Sequence, residues 1–423
     1  MRIEPASSVR GTFTLPGDKS ISHRAALIGA MAIGKTRVRN FSSAADCAST
    51  LACLRGLGVA IRREGEELVI EGGLASWRAP EAVLDAGNSG STIRMLAGAL
   101  AGRPFRTTLT GDASLRMRPL ERVAAPLRAM GASVETTDGC APLTVTGGSL
   151  RGFAHDLPVA SAQVKTAILL AGLQAEGRTT VREPMPSRDH TERMLKCFGV
   201  TVERDGLSAS VTGGTPLHAT TVNVPGDASS AAFLVVAALV RPDSEVRLEG
   251  VLLSPTRTAF VEVLRSMGGR VETRLDEAEP EPVGTIVASS STLRGTRVDP
   301  ALVPSLIDEV PALAVAGAFA SGELEITGAS ELRYKESDRI AALASGLQAL
   351  GVPVRELPDG LVVTGGTQLH GARVDSHDDH RIAMALAVAA LGASGPTEIA
   401  RGECVSVSFP EFYALVARAT GRG

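Results

Sequence analysis

Leu54-Arg-Gly-Leu-Gly58-Val-Ala-Ile61 decides the fold, because the chain repeats its pattern. The same amphipathic run, apolar-Gly step and strand return as LRAMGASV around Gly131, LKCFGVTV around Gly199, LRSMGGRV around Gly268 and LQALGVPV around Gly351. A degenerate copy, LVARATGRG, closes the sequence around Gly421. The intervals are 73, 68, 69, 83 and 70 residues, too long for common solenoid repeats. Before each marker lies a second helix pattern, nearly uncharged and rich in Ala, Leu and Gly: Ser22–Ile33, Ser91–Ala101, Gln163–Ala175, Ala228–Val240, Val310–Ala320 and Ile382–Leu391. A helix apolar all round is a buried helix, and one with a polar face lies outside it. A period near 70 therefore suits two helices and about four short strands, a split βαβ cassette.

A longer repeat overlies the short one. Pro16-Gly-Asp-Lys-Ser and Pro225-Gly-Asp-Ala-Ser both open a buried helix, 209 residues apart, which is three cassettes. The pattern predicts an α/β (α+β) chain of two domains with three cassettes each and a boundary near Val224–Asp227. It leaves the strand before Pro16 open to either half. With 44% hydrophobic but only 3% aromatic residues, the cores are built from Ala, Val and Leu, so helices approach closely. A net charge of −3 offers no global attraction to nucleic acid or to an anionic membrane. The five cysteines form no CxxC pair and read as reduced thiols of a cytoplasmic protein. MRIEPASSVRGTFTLPGDK lacks the apolar core of a signal peptide, and apolar helices such as Ala160–Leu173 are too short to span a bilayer.

Charged and hydroxyl residues gather where the buried helices begin: Asp18-Lys-Ser-Ile-Ser-His-Arg24, Asn88-Ser-Gly-Ser-Thr92, Ser161-Ala-Gln-Val-Lys165, Asp227-Ala-Ser-Ser230, Asp308-Glu309 and His377-Asp-Asp-His-Arg381. Two further loops, Arg116–Pro119 and Arg333–Arg339, are also rich in charge. Helix N-termini carry unpaired N–H groups and the positive end of the dipole, so several together favour anions. Ser and Asp there serve as caps. Lys19, Arg24 and Arg381 oppose the dipole and call for an anionic partner, which points to phosphates and carboxylates.

Two motifs carry a chemistry that their context denies. Gly29-Ala-Met-Ala-Ile-Gly-Lys-Thr36 satisfies the P-loop pattern. A P-loop follows a strand and opens a helix; here the match ends a helix and enters a strand, with Gly34 as the expected C-cap. His377-Asp-Asp-His380 has metal-binding side chains but no further His/Cys cluster to complete a site. We expect no metal.

LPGDKSISHRAALIGAMA, GNSGSTIR, GDASLRMRPL, ASAQVKTAILLAG, SRDHTERML, ELRYKESDRI and DDHRIAMA, in this order, resemble the signatures of the 5-enolpyruvylshikimate-3-phosphate (EPSP) synthase family over essentially the whole chain. The resemblance implies two domains of three βαβαββ repeats, an inside-out α/β barrel with its helices buried. We expect residues 17–226 as the N-terminal domain, residues 1–16 and 227–423 as a discontinuous C-terminal one, and the active site in the interdomain cleft. It implies transfer of an enolpyruvyl group from phosphoenolpyruvate to shikimate 3-phosphate through a tetrahedral intermediate, without cofactor or metal. The partners are those two small molecules, with glyphosate as inhibitor and neither nucleic acid nor membrane; the enzyme is expected as a cytoplasmic monomer.

Carried over residue by residue, Asp308 is the implied base, with Glu336 and Lys19 as candidate proton donors. Lys19, Ser20, Arg24, Ser161, Ala162, Gln163, Ser187, Asp308 and Lys335 match the shikimate 3-phosphate set. Lys19, Gly90, Arg118, Gln163, Arg339 and Arg381 match the phosphoenolpyruvate set. The chain departs from some members at Ala162 (a second Ser elsewhere), at Val407 (a Lys elsewhere) and around Arg188, where no tyrosine stands to stack on the shikimate ring. The related UDP-N-acetylglucosamine enolpyruvyl transferase opens with Lys-Asn where Lys19-Ser20 stands, and carries a Cys in the loop that here reads GDASLRMRPL. A non-catalytic anion-binding scaffold is the alternative from another class; it gives no reason for Asp308 and Glu336 among so many basic residues.

Overall fold

The computed structural model describes residues 1–422. Contacts divide the chain into two compact units, Gly17–Val224 and a second made of Met1–Pro16 with the chain from Pro225 onward.

The Gly17–Val224 unit contains six helices: α1 (Lys19–Met31), α2 (Ala45–Gly56), α3 (Gly90–Leu100), α4 (Glu121–Ala129), α5 (Ala162–Gly172) and α6 (His190–Cys197). The apolar members α1, α3 and α5 are buried along almost their whole length, whereas α2, α4 and α6 keep a polar face. Gly98 shows why small residues dominate the centre. A Cβ there would lie 2.1 Å from the carbonyl oxygen of Ala167, so α3 and α5 touch backbone to backbone. Three four-stranded sheets surround these helices, each with one parallel and two antiparallel pairings. In the middle one, Leu84–Asp85 lies parallel to Arg106–Thr110, which pairs with Cys140–Thr146 and then Ser133–Thr137. Read in chain order, with α3 and α4 interposed, this is β-α-β-α-β-β. In the first sheet the parallel strand is Thr221–Asn223, from the far end of the unit, beside Arg37–Arg39.

The second unit repeats the plan with α7 (Ala228–Val240), α8 (Ala259–Ser266), the short α9 (Val303–Leu306), α10 (Val310–Ala318), α11 (Arg339–Ala349), α12 (His380–Ala390) and α13 (Phe412–Ala419). Here α7, α10 and α12 pack on one another. The N-terminal residues belong to this unit's sheets: Arg10–Thr14 lies parallel to Glu245–Glu249, and Arg2–Ile3 pairs with Thr397–Glu398. The chain is thus a mixed α/β fold with its apolar helices inside.

Two helix boundaries differ from the sequence reading in an informative way. α1 and α12 begin at Lys19 and His380, ahead of the apolar runs at Ser22 and Ile382. Asp18 and Asp379 cap them by accepting Ile21 N–H and Arg381 N–H, and the polar residues that follow fill the first turn. At the other end of α1 the helix stops at Met31, because Ala32 is extended. Gly34, expected as the C-cap, instead opens the strand Gly34–Arg39 with φ of 112°, paired to Gly72. The P-loop match therefore runs from helix to strand, opposite to the order a phosphate loop needs. Among the described residues no single helix is long and apolar enough to cross a membrane.

Candidate active site

In the Gly17–Val224 unit the expected residues gather at the N-termini of α1, α3 and α5. Ser89 and Ser161 cap α3 and α5 by accepting the N–H of Thr92 and Val164. Arg24 is 3% exposed and crosses from α1 to its neighbours. Its Nε donates to Thr191 Oγ1 (2.7 Å), and its Nη2 donates to Thr166 Oγ1 (3.0 Å) and to the carbonyl oxygen of Ala162 (3.3 Å). Nη1 donates to the Ser20 carbonyl at 2.9 Å, and Arg188 Nη1 donates to Ser20 Oγ at 3.2 Å. Arg188, whose place the sequence left open, therefore stands with Ser20, Arg24 and Ala162. Ser187 Oγ is shielded from solvent and meets no hydrogen-bond partner among the described residues. Lys19 Nζ lies 2.7 Å from Asp46 Oδ2, with only 15% of its side chain exposed.

Gln163, Gly90 and Arg118 are joined by a residue that sequence reasoning passed over. Buried Arg94 donates from Nη1 to Gln163 Oε1 (2.9 Å) and from Nη2 to the carbonyl oxygen of Pro119 (3.1 Å), next to Arg118. Gln163 Nε2 in turn donates to Ser91 Oγ at 3.0 Å. A Cβ on Gly90 would sit 2.6 Å from Arg94 Nη1 and 3.6 Å from Arg118 Nη1, so a side chain there would crowd Arg94. Arg118 is oriented by Asn88 Oδ1 (2.8 Å) and Ser114 Oγ (3.0 Å). Arg94 lies on the apolar-looking α3, where one charge in a buried helix was the available signal.

In the second unit the remaining residues form one ionic cluster. Asp308, between α9 and α10, has Oδ1 3.4 Å from Arg339 Nη1 and 3.6 Å from Lys335 Nζ, and Oδ2 3.8 Å from Arg381 Nη2. Arg381 Nη1 also donates to the Asp308 carbonyl oxygen at 3.0 Å. Arg339 is 1% exposed; it donates from Nη2 to Glu336 Oε2 (2.6 Å) and from Nε to Asp379 Oδ2 (2.8 Å). Burial opposes its charge, but the carboxylates of Asp379, Glu336 and Asp308 outweigh that and raise its pKa above the ordinary arginine value. Asp379 is therefore cap and counter-ion at once. Of its neighbours in the His377–His380 stretch, Asp378 pairs with Arg401 and His380 is buried on α12. Among the described residues no group of three or more His, Cys, Asp and Glu side chains is placed to hold a metal ion. Val407, where some relatives carry Lys, is half-buried in a short 3-10 turn, Gly402–Val407, that contains no Lys or Arg.

The model of the EPSP synthase (3-phosphoshikimate 1-carboxyvinyltransferase) family matches residues 3–415. The chain belongs to the EPSP synthase family. It is 52% identical over 422 residues to the 3-phosphoshikimate 1-carboxyvinyltransferase of Acidithiobacillus ferrooxidans, covering 99% of this chain and 97% of that one. The protein of the same name from Halorhodospira halophila is also 52% identical, with 99% and 95% covered. Among solved structures, EPSP synthase from Acinetobacter baumannii superposes with a TM-score of 0.88 at 45% identity, covering 99% of this chain and 97% of that one. The enolpyruvyl transferase NikO from Streptomyces tendae has a TM-score of 0.80 at 20% identity, over 99% and 96% of the two chains, and shares the fold. The EPSP synthase signatures seen in the sequence are thus those of the family itself.

Proposed function

We propose that this chain transfers the enolpyruvyl group of phosphoenolpyruvate to the 5-hydroxyl of shikimate 3-phosphate, releasing inorganic phosphate. The observation that carries the reading is the cluster around Asp308: one carboxylate within 4 Å of Lys335, Arg339 and Arg381, with Glu336 on the same guanidinium. Addition of the hydroxyl to C2 of phosphoenolpyruvate needs a base at the hydroxyl and an acid at C3; elimination needs a proton removed from the new methyl group and phosphate expelled. Asp308 is the base: it takes the hydroxyl proton, passes it to the departing phosphate, and then helps take the methyl proton. Glu336 or Lys19 delivers the proton to C3. Lys19, Ser20, Arg24, Ser161, Gln163, Ser187 and Lys335 hold shikimate 3-phosphate together with Asp308, and Ala162 contributes main chain where some members have a hydroxyl. Lys19, the N–H of Gly90, Arg118, Gln163, Arg339 and Arg381 hold phosphoenolpyruvate, whose carboxylate and phosphate suit the planar guanidinium fork.

The residues come from both units, so both must act on one pair of substrates. We take them as the two three-repeat domains, 17–226 and 1–16 with 227–423, and assign the reaction to a closed state reached on binding shikimate 3-phosphate. Solution scattering that is identical with and without both ligands overturns the closure. The enzyme is taken as a cytoplasmic monomer inhibited by glyphosate. Release of phosphate from phosphoenolpyruvate is the test of the reaction. Release that depends on shikimate 3-phosphate supports it; no release with both ligands bound assigns another acceptor.

A further inference from the structure

Next to Asp308 in the chain, Glu309 belongs to a second buried ionic group. Glu309 is fully buried, Arg257 is 1% exposed and Ser229 is 3% exposed. Arg257 Nη2 donates to Ser229 Oγ at 2.9 Å, and the Ser229 hydroxyl donates to Glu309 Oε1 in a short hydrogen bond. Asp227, whose carboxylate caps α7 by accepting the N–H groups of Ser229 and Ser230, lies 3.5 Å from the same Arg257 nitrogen. The three side chains come from three places in the sequence: the first turn of α7, the loop before α8 and the first residue before α10. The main chain at Glu309 is fixed as well. Its N–H donates to the Leu306 carbonyl at 2.8 Å, and its carbonyl oxygen accepts the Leu313 N–H at 3.0 Å.

Given the reaction proposed above, we infer that Glu309, held by Ser229 and Arg257, is a positioning residue for the base Asp308. Adjacent residues here send their carboxylates to different environments. Glu309 goes into the core, where a charge is tolerated only with partners. Asp308 keeps 14% of its side chain exposed and faces three cations at 3.4 to 3.8 Å. Those distances are long for ion pairs, and Arg339 Nη1 donates to Asp308 Oδ1 at 3.4 Å. The anchored neighbour adds a restraint from inside the core: the Ser229–Glu309 bond holds the residue next to Asp308 in the turn between α9 and α10, together with the main-chain bonds at Glu309. A misplacement of about 1 Å at a reacting group costs about 10²-fold in rate.

The test is a mutant cycle read in kcat on the full chain. Wild-type phosphate release dependent on shikimate 3-phosphate is measured first. Glu309→Ala is expected to lower kcat about 10²-fold with KM for both substrates changed less than about 3-fold. Glu309→Gln retains an acceptor for the Ser229 hydroxyl and leaves Asp227 beside Arg257, so it is expected to restore kcat to within about 10-fold of wild type. In a chain already carrying Asp308→Asn, adding Glu309→Ala is expected to change the residual rate less than about 3-fold, because the group it orients is already disabled. An equal fall in both backgrounds shows a general structural role and overturns the inference. Ser229→Ala, a smaller change, repeats the cycle if Glu309→Ala does not fold, with an expected fall of about 10-fold. A wild-type chain without release counts against the reaction, whereas an active wild-type chain with an equally active Glu309→Ala variant counts against the positioning role alone.

Discussion

The two units hold their site cations by different means. In Gly17–Val224, Arg24 is oriented by the hydroxyls of Thr166 and Thr191 and by main-chain carbonyls, and Arg118 by Asn88 and Ser114. These hydroxyl and carbonyl acceptors aim the two guanidinium groups, while Lys19 in the same unit lies 2.7 Å from the carboxylate of Asp46. In the other unit Lys335, Arg339 and Arg381 stand among Asp308, Glu336 and Asp379, three cations against three carboxylates. The first arrangement directs positive charge through hydroxyls, a side-chain amide and main-chain carbonyls. The second is balanced, and it contains groups that can accept and return protons. Under the proposed reaction, the first arrangement holds anionic groups and the second moves protons.

The difference is testable most sharply at the proton-moving end. Asp308→Asn keeps the shape and the hydrogen-bonding capacity toward Lys335 and Arg339 but removes the base. Turnover should fall about 10³-fold while KM for shikimate 3-phosphate moves only a few-fold. Steady-state phosphate release checks this, and retained turnover removes Asp308 from the role of base.

Next in size is stability. Arg339→Ala strips the counter-charge from a buried cluster and leaves Asp379 and Glu336 facing each other, so it should cost about 3–5 kcal/mol of unfolding free energy. Arg118→Ala leaves the acceptors Asn88 Oδ1 and Ser114 Oγ behind and should cost about 1 kcal/mol, while raising KM for phosphoenolpyruvate. Urea denaturation of the two variants compares them directly. Equal losses would dissolve the contrast between the ionic cluster and the hydroxyl-and-carbonyl network. Smaller again is Gly90→Ala: its methyl meets Arg94 Nη1 at 2.6 Å, the end of a side chain already tied to Gln163 and Pro119. A rise of about 10-fold in the glyphosate concentration needed for half inhibition is expected, with a smaller rise in KM for phosphoenolpyruvate. An unchanged response would place Gly90 elsewhere.

What the sequence disclosed about the two units follows from what leaves a local trace. Buried helices read as uncharged Ala/Leu/Gly runs, and every marker glycine sits at a turn; Gly58, Gly131, Gly199, Gly268, Gly351 and Gly421 all have positive φ. Site residues in first turns stand beside their caps and were visible as polar clusters. Arg94, Arg257 and Glu309 were not assigned roles, because their partners lie far along the chain: Arg94 reaches Gln163 and Glu309 reaches Ser229. The same is true of Lys165, enclosed by Glu183 (2.7 Å) and Glu192 (2.8 Å) below the Ser161–Gln163 turn. No periodicity announces a partner that only the fold brings near. The Gly34 boundary was misplaced for the converse reason: a C-cap glycine and a strand-opening glycine have the same local signature.

The last test concerns the repeated pair of helices themselves. Asp18 and Asp227 cap α1 and α7 alike, yet 209 residues on from His23 and Arg24 stand Ala232 and Phe233. Only α1 thus carries a titratable ring in its core. His23 is fully buried, its Nδ1 lies 2.7 Å from Thr50 Oγ1, and Nε2 meets no partner among the described residues. Burial first, then the charges of Lys19 and Arg24, push its pKa well below the ordinary 6.5. The folded chain therefore refuses a proton that the unfolded chain accepts. Stability contributed by the neutral ring is complete above about pH 6.5, declines as the pH falls through that value, and stops declining at the folded pKa. His23→Asn offers Thr50 a partner that does not titrate, so its melting temperature should fall less than that of wild type between pH 7.5 and 5.5. Carboxylates elsewhere titrate in both proteins and cancel in the comparison. Parallel curves would mean that His23 takes up its proton at the same pH in the fold as in the unfolded chain, so that at pH 5.5 the first turn of α1 carries more positive charge than a buried neutral ring allows.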